Sequence, residues 1–463
     1  MLFSSLEFLY LFLPWTVLVY FAVPKKAKNA VLLFASLLFY AVGEPKYLFL
    51  MLAVTAINFI FGRLADKSRH SARFRRTALI CAVIFNISTI FFFKYFDFTA
   101  SALGLCEPLG LALPIGISFY IFQALSYVAD VYRGDVLPSG SIIDFSAYVS
   151  FFPQLIAGPI VRYSDINSAL RHRTHSFEGA AEGIRRFCAG LAKKVLLANR
   201  AGAVWERLSA LPEGEISTAS VWLGAFFYAF QIYFDFSGYS DMAIGLGKIF
   251  GFEFPENFNY PYISRSVTEF WRRWHITLSS FFRDYVYIPL GGNRHGRVRT
   301  YLNLFAVWSL TGIWHGASYN FLFWGIYYFI LLVLEKAFLE RILSRLPIAL
   351  CRTYTLTAVL VGWVIFAADT LKDGFFAYTK NMFFLGGAPL LSESVLYELS
   401  KNALLLVIML FASTPIPKKI FFRLTGGKNA SKLAQNVLSL LSLLLCTAAL
   451  VSSGYNPFLY FRF

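Results

Sequence analysis

Charged side chains are scarce in this sequence. Only 15% of its 463 residues are Asp, Glu, Lys or Arg, while 57% are hydrophobic, and soluble domains carry about 25% charged residues. Aromatic residues reach 19%, as suits a chain that presents Phe to lipid and Tyr or Trp to two membrane interfaces. The composition therefore predicts an integral membrane protein in contact with a lipid bilayer.

The motifs of several enzyme classes are missing. The sequence has no HExxH, no paired CxxC, no GxSxG and no complete phosphate-binding loop, since residues 245–248 (GLGK) lack the rest of that spacing. Its five cysteines are scattered without metal-ligand spacing. We therefore expect no metal site, no nucleotide hydrolysis and no serine-hydrolase triad, and we interpret the cysteines as packing residues.

The formal net charge of +16 raises the question of whether the protein binds nucleic acid. The basic residues form no arm, zinc module or RNA-binding motif. They lie in short loops between apolar runs, as cytoplasmic loops do under the positive-inside rule. We expect anionic lipid headgroups, and no nucleic acid, as their partners.

The apolar runs predict an all-α, polytopic membrane protein with about 10–13 transmembrane helices and further re-entrant helices around a central cavity. Basic loops alternate with weakly charged ones, which predicts an external N-terminus, retained as the first helix, and cytoplasmic basic loops. The clear runs lie near residues 4–23, 29–42, 47–61, 77–96, 110–130, 301–316, 318–334, 353–368, 398–413 and 434–452.

Between residues 134 and 300 the apolar pattern breaks into shorter pieces, such as 145–161, 187–198 and 221–236. Pro, Gly and charges interrupt them, which predicts re-entrant or tilted helices lining a cavity. Because no repeat and no soluble domain is evident, we predict one membrane domain over 1–463, with N-terminal spans at 1–133, a catalytic re-entrant region at 134–316 and C-terminal spans at 317–463.

One histidine stands at membrane depth. His315 lies within residues 310–316 (LTGIWHG), at the end of one apolar run and just before the next. A buried neutral imidazole can act as a general base, and Gly312 and Gly316 would let a substrate approach closely. The alternative is a core histidine satisfied by a backbone carbonyl.

A second histidine, His275, follows two arginines in residues 268–276 (TEFWRRWHI). Helical spacing would bring Glu269 beside Arg273 and Trp271 beside His275. One interpretation is a site for an anionic cofactor, with phosphate partners at Arg272, Arg273, Arg283, Arg294 and Arg297. The other is an amphipathic interfacial helix anchored by Trp and Arg.

Two further segments carry polar groups among apolar ones. Asp235 and Asp241 lie in residues 231–242 (QIYFDFSGYSDM), where they could orient a histidine, bind a substrate hydroxyl or form structural ion pairs. Gln154 lies in residues 152–159 (FPQLIAGP), which resemble a Pro-broken re-entrant helix facing a cavity.

Together these motifs resemble the membrane-bound O-acyltransferase (MBOAT) superfamily, and within it the branch of alginate O-acetyltransferase membrane subunits and peptidoglycan O-acetyltransferases. The resemblance runs essentially end to end and is carried by residues 114–120 (PIGISFY), 152–160 (FPQLIAGPI), 235–241 (DFSGYSD), 270–275 (FWRRWH), 312–316 (GIWHG) and 456–458 (NPF).

The resemblance implies that His315 is catalytic and that His275 is the second implicated residue. Trp314, Trp271, Arg272, Arg273, Asp235, Asp241 and Gln154 then become candidates for substrate or donor binding. It also implies acetyl transfer from cytoplasmic acetyl-CoA, as a donor substrate with no bound cofactor, to an extracytoplasmic polysaccharide through a partner protein. The expected location is the inner, cytoplasmic membrane.

Two alternatives remain open at this point. A transporter or channel could pass the acyl donor without chemistry, and such a protein would tolerate an isosteric replacement of His315. The D-alanyl branch of the same superfamily, which acylates teichoic acid, takes its acyl group from a carrier protein and has a similar histidine motif.

Overall fold

The computed structural model describes residues 1–371, 374–425 and 427–459. Within these ranges the chain is helical and contains no β-strand. Among the described residues, seven helical segments are long and apolar enough to cross a membrane, and Phe8–Ala22 is a shorter apolar helix. The predicted all-α, multi-pass membrane protein is confirmed. The seven segments are Lys25–Gly43, Pro45–Leu64, Ala72–Leu103, Tyr319–Leu343, Ile348–Phe366, Glu393–Ala412 and Ala430–Ser452.

Contacts divide the chain into two compact units, one made of Met1–Gly190 and Tyr239–Glu256, the other of Leu191–Gly238 and Asn257–Phe463. These boundaries differ from the three segments expected from the sequence, and the single membrane domain stays a prediction. Two α-helices, Phe177–Ala192 and Thr218–Ile249, have residues in both units.

The first unit contains nine further α-helices: Leu13–Ala22, Lys28–Gly43, Leu48–Leu64, Ala72–Ile90, Phe96–Leu103, Ile117–Arg133, Ile142–Ser150, Phe152–Leu155 and Tyr163–Arg171. Short π- or 3-10 segments adjoin several of them, at Phe8–Phe12, Lys25–Ala27, Pro45–Tyr47 and Phe91–Tyr95.

A buried pair of asparagines stabilises the first unit. Asn58 and Asn86 exchange amide hydrogen bonds of 3.0 and 2.8 Å inside it, so two buried amides satisfy each other.

The expected run at 110–130 becomes a helix only at Ile117, because Gly116 adopts a left-handed conformation at φ 73°. In that helix 13 of 17 residues are buried, so it is a core helix.

The second unit contains eleven further α-helices among its described residues: Asn199–Ser209, Val267–Arg273, Ile276–Phe282, Gly296–His315, Tyr319–Leu334, Glu340–Leu343, Ile348–Phe366, Gly374–Met382, Glu393–Ala412, Ile416–Thr425 and Lys428–Ser452. Its π-segments are Lys193–Ala198, Arg283–Tyr287 and Glu335–Leu339, and its 3-10 turns are Glu213–Glu215, Pro261–Ile263 and Ala368–Thr370.

The apolar segment at 221–236, expected to be a short helix, is part of a much longer one. It belongs to the 32-residue helix Thr218–Ile249, which continues through Asp235 and Asp241. The helix survives these carboxylates because each has a basic partner: Lys194 for Asp235 and Arg186 for Asp241.

The helices Gly296–His315 and Tyr319–Leu334 form a tight hairpin that places His315 at its turn. A Cβ at Gly312 would lie 2.4 Å from the Phe321 carbonyl oxygen, and one at Gly325 would lie 2.4 Å from the Trp308 carbonyl oxygen. Only glycine permits two backbones to approach this closely.

We predict that Gly312→Ala and Gly325→Ala each force these two helices apart, because the atoms in the way are backbone atoms that cannot rotate aside. Overpacking of this kind costs about 1–3 kcal/mol. Thermal unfolding in detergent should show a lower Tm for both variants. Gly214→Ala is the matched control, since its Cβ meets nothing within 4 Å, and equal Tm values for all three would contradict the prediction.

Candidate functional site

His315 is the last residue of the helix Gly296–His315, and the backbone becomes extended at Gly316. The imidazole is 9% exposed and lies among aromatic rings. Trp324 and Phe366 meet it edge to face, with ring centroids 5.0 and 5.1 Å away and interplanar angles of 84° and 83°. These rings keep bulk water away from the histidine.

His275 lies in a sharp turn between two short helices. Val267–Arg273 ends before it, and His275, in a left-handed conformation at φ 43°, precedes Ile276–Phe282. This conformation is uncommon for a residue with a Cβ. The expected helical pairing of Trp271 with His275 is therefore wrong, because the helix does not reach His275.

The tautomer of His275 follows from its neighbours. The Asn257 side-chain oxygen accepts hydrogen bonds from the Thr277 backbone N–H (3.3 Å) and hydroxyl (2.9 Å), so the Nδ1–H of His275, 3.0 Å away, must donate to that same oxygen. His275 lies outside the seven candidate spans. Burial lowers the pKa of His275 to about 3, so its imidazole is neutral at physiological pH.

Both histidines line a cavity of about 680 Å³ within the second unit. This volume is in the range of small-molecule and cofactor sites. Its walls are mainly aromatic and aliphatic, with basic residues Arg272, Arg283 and Lys336 among them. The aromatic wall includes Phe236, Trp271, Trp274, Phe282, Trp308, Trp324, Trp363 and Phe366.

Three of the candidate binding residues line this cavity, namely Trp271, Arg272 and Asp235. Trp314 packs against both histidines, with its ring centroid 4.9 Å from that of His315 and 6.3 Å from that of His275. The structure thus brings the two histidine motifs together around one tryptophan.

Arg273 differs from Arg272. It forms an ion pair with Glu269 at 2.8 Å, as the helical spacing predicted, and its side chain is only 27% exposed. Arg283, by contrast, pairs with its neighbour Asp284 at 2.6 Å and still lines the cavity. In the described part of the chain, the cavity wall includes neither Arg294 nor Arg297.

Asp235 forms a buried ion pair with Lys194 at 2.7 Å, with side chains 4% and 3% exposed. The Leu459 backbone N–H donates to the same carboxylate at 2.9 Å, and the Lys194 ammonium donates to the Pro457 carbonyl. Asp235 therefore serves as a structural ion pair and as part of the cavity wall at once. Leu459, which it anchors, also lines the cavity.

Asp241 and Gln154 belong to the first unit, and the cavity belongs to the second. Asp241 pairs with Arg186, which also donates two hydrogen bonds to Glu256. The fully buried Gln154 amide donates to the Tyr148 carbonyl at 2.8 Å. The expected break is present, since Phe152–Leu155 is a one-turn helix followed by irregular backbone.

The glycines around His315 have a different role from the one expected. A Cβ at Gly312 would meet backbone atoms of Phe321 and Gly325 on the next helix. A Cβ at Gly316 would lie 2.4 Å from the Phe321 ring. Neighbouring protein atoms occupy the positions that a substrate was expected to reach. These glycines permit helix packing.

Sequence reasoning missed several residues of the site. Asn257, Glu335, Phe366 and Leu459 were not singled out, although Asn257 orients His275 and the last two line the cavity. Glu335 carried a signal, because it is the carboxylate that ends the apolar run 318–334. The other three look like ordinary loop or core residues.

A second, smaller cavity of about 340 Å³ shares Phe366 and Leu459 with the first. Its wall is more polar. The Gln231 and Asn320 side-chain oxygens, which are buried and accept no hydrogen bond from the described residues, belong to two of its lining residues. The lining residues are Trp205, Glu206, Ser209, Ala210, Tyr228, Gln231, Asn320, Phe321, Phe366, Ala367, Asp369, Thr370, Pro457 and Leu459.

Comparison with known proteins supplies the family. Residues 136–372 match the model of the MBOAT, membrane-bound O-acyltransferase family. The chain is 38% identical to the "Probable alginate O-acetylase AlgI" of Azotobacter vinelandii, over 100% of both chains. It is 33% identical to the "Peptidoglycan O-acetyltransferase" of Helicobacter pylori, over 100% of this chain and 98% of the relative.

A more distant relative is the "Teichoic acid D-alanyltransferase" of Streptococcus thermophilus, 29% identical over 49% of this chain and 58% of the relative. The match to the acetylating relatives is thus closer and longer. The family model covers half of the chain and two acetylating relatives align along all of it, so this protein is an O-acyltransferase that belongs to the membrane-bound O-acyltransferase family.

Proposed function

We propose that this protein transfers an acetyl group from acetyl-CoA to a hydroxyl group, with His315 as the general base. One observation carries the proposal: His315 lies on the wall of the larger cavity and packs against Phe366, which also lines the second cavity. A donor in the first cavity and an acceptor in the second would approach each other beside Phe366, next to this histidine.

The reaction moves one proton in two transfers, from the acceptor hydroxyl to His315 and from His315 to the departing thiolate, and it needs no redox step. The acceptor hydroxyl gives its proton to the His315 imidazole while its oxygen attacks the thioester carbonyl carbon. The tetrahedral intermediate then breaks its C–S bond, and the departing thiolate takes the proton from the imidazolium. Because a thioester is already activated, positioning the two reactants and removing this proton are the main tasks of the protein.

The shape and charge of the larger cavity support a CoA thioester as donor. The aromatic wall suits an acyl-pantetheine arm, and Arg272, Arg283 and Lys336 can hold phosphate groups. The neutral His275, with its Nδ1–H fixed by Asn257, acts as a polar wall group beside Trp314.

The second cavity would admit the acceptor. Among its described lining residues none is Lys, Arg or His, whereas Glu206 and Asp369 carry negative charge. An uncharged hydroxyl group fits this wall better than a polyanion. The relatives named for alginate and peptidoglycan suggest an extracytoplasmic polysaccharide as final acceptor. We propose that a partner protein carries the acetyl group to it, and that the enzyme resides in the cytoplasmic membrane.

We predict that His315→Gln lowers acetyl transfer by about 10²–10⁴-fold, the usual contribution of a general base. Purified protein in nanodiscs would be supplied with radiolabelled acetyl-CoA, and thioester cleavage and label transfer would be followed. The exposed His172→Gln is the matched control and should keep full activity. Full acetyl transfer by a folded His315→Gln would mean that His315 is not the general base.

We predict that Arg272→Gln and Lys336→Gln each raise KM for acetyl-CoA by about 5–10-fold with little change in kcat, as expected on losing about 1 kcal/mol of charge-assisted binding. Acetyl-pantetheine, which lacks the nucleotide phosphates, should show no change. Arg345→Gln, at an exposed arginine outside the cavity wall, is the control. If the wild type uses only a carrier-protein thioester, the CoA donor is wrong.

We predict that Ser209→Trp, which fills the second cavity, lowers acetyl transfer to cello-oligosaccharides by about tenfold while KM for acetyl-CoA stays constant. Ser209→Ala, which leaves the space open, should behave as wild type. Oligomannuronate should be a poorer direct acceptor than the neutral sugar because of Glu206 and Asp369. A rise in KM for acetyl-CoA in Ser209→Trp would mean that the donor occupies this cavity.

A further inference from the structure

Glu335 is a buried carboxylate to which the proposed chemistry assigns no task. It is 2% exposed and follows the helix Tyr319–Leu334 directly, as the first residue of the π-segment Glu335–Leu339. A lone ionised carboxylate in such surroundings costs several kcal/mol unless hydrogen bonds replace its water. Its partners therefore identify the element that it stabilises.

Three of the four hydrogen bonds that Glu335 accepts from the described residues come from a single short segment. Its Oε1 accepts from the Val267 backbone N–H at 2.6 Å, and its Oε2 accepts from the Thr268 backbone N–H at 2.8 Å and the Thr268 hydroxyl at 2.6 Å. The Tyr354 hydroxyl, 3.2 Å from Oε1, completes the set. Glu335 thus binds the start of the helix Val267–Arg273 through both oxygens.

That helix carries the basic and aromatic wall of the donor cavity. Thr268, Trp271 and Arg272 all line it. On the other side of the link, Lys336 and Glu340 line the same cavity just after Glu335. One carboxylate therefore joins two parts of the wall that are more than 60 residues apart in sequence.

The link also fixes this wall relative to His315. Glu335 continues the helix Tyr319–Leu334, which forms the glycine-mediated hairpin with Gly296–His315. From that hairpin, Trp308 and Tyr328 pack against Trp271, with centroid distances of 4.9 and 4.8 Å. A displacement of Val267–Arg273 would move Arg272 relative to the donor, while the glycine contacts that hold the helix carrying His315 would remain.

We propose that Glu335 is a positioning residue that holds Trp271 and Arg272 at the donor end of the cavity. The inference rests on the proposed use of an acyl-CoA donor. Its role is distinct from that of Arg272, which would touch the donor itself.

The geometry makes Glu335→Gln a sharp test. Each carboxylate oxygen accepts from a different backbone N–H, so either orientation of a glutamine amide would turn its NH₂ group towards one of those N–H groups. We predict at least a tenfold higher KM for acetyl-CoA and a less than threefold change in kcat. The matched variant Tyr354→Phe removes only the 3.2 Å contact and should change KM by less than threefold.

A double-mutant cycle separates positioning from general damage. If Glu335 acts through Arg272, the KM of Glu335→Gln/Arg272→Gln should equal that of the more affected single variant. The proposal would be overturned if the KM increases of the two single variants multiplied in the double variant. A wild-type KM in Glu335→Gln would overturn it as well. If Glu335→Gln fails to fold, Thr268→Val, which keeps both backbone bonds and loses the hydroxyl, serves in the same cycle.

Hydrogen exchange in the region 267–273 gives a readout that does not depend on activity. The amides of Val267 and Thr268 should be protected in the wild type and exchange at least tenfold faster in Glu335→Gln. Unchanged exchange would overturn the link itself. Faster exchange in a protein whose wild type does not use acetyl-CoA would leave the link intact and reject the proposed donor.

Discussion

The close approach of two helices at Gly312 and Gly325 is the constraint on which the site depends. Without side chains at these positions, Gly296–His315 and Tyr319–Leu334 pack backbone against backbone. His315 at the end of the first helix thereby meets Trp324 on the second. The same hairpin supplies Trp308 to the cavity wall and leads into Glu335. In a bilayer, where apolar burial gives little drive for association, such van der Waals contact is a main source of cohesion.

Buried charged groups in the second unit both stabilise the fold and fix the walls of the cavities. Lys194 and Asp235 neutralise each other and also bind backbone groups of Pro457 and Leu459. Glu335 binds backbone N–H groups of another helix. In each case a buried charge is compensated by hydrogen bonds to main chain. These contacts fix segments that line a cavity, so stability and site geometry share the same interactions.

Much of the fold could be predicted from the sequence, because long apolar runs have few alternatives in a membrane. The run at 318–334 became a helix close to the expected bounds, and the run at 434–452 lies within the longer helix Lys428–Ser452. The two histidine motifs were singled out from their own residues, the family resemblance added the expected catalytic roles, and the structure brings both histidines to one cavity. The turn at His275 was not predicted, since it depends on Asn257, 18 residues earlier. Partners of Glu335 and Asp235 could not be predicted either, because they come from distant segments and no local pattern records them.

The attachment of Pro457 and Leu459 to the Lys194–Asp235 pair has a consequence for biosynthesis. Leu459 follows Asp235 by 224 residues, and Pro457 follows Lys194 by 263. Lys194 and Asp235 are therefore synthesised well before Pro457 and Leu459, whose backbone groups form hydrogen bonds with them. During that interval the walls of both cavities lack Leu459. The walls of both cavities are therefore completed only after the segments that carry His275 and His315 have been synthesised.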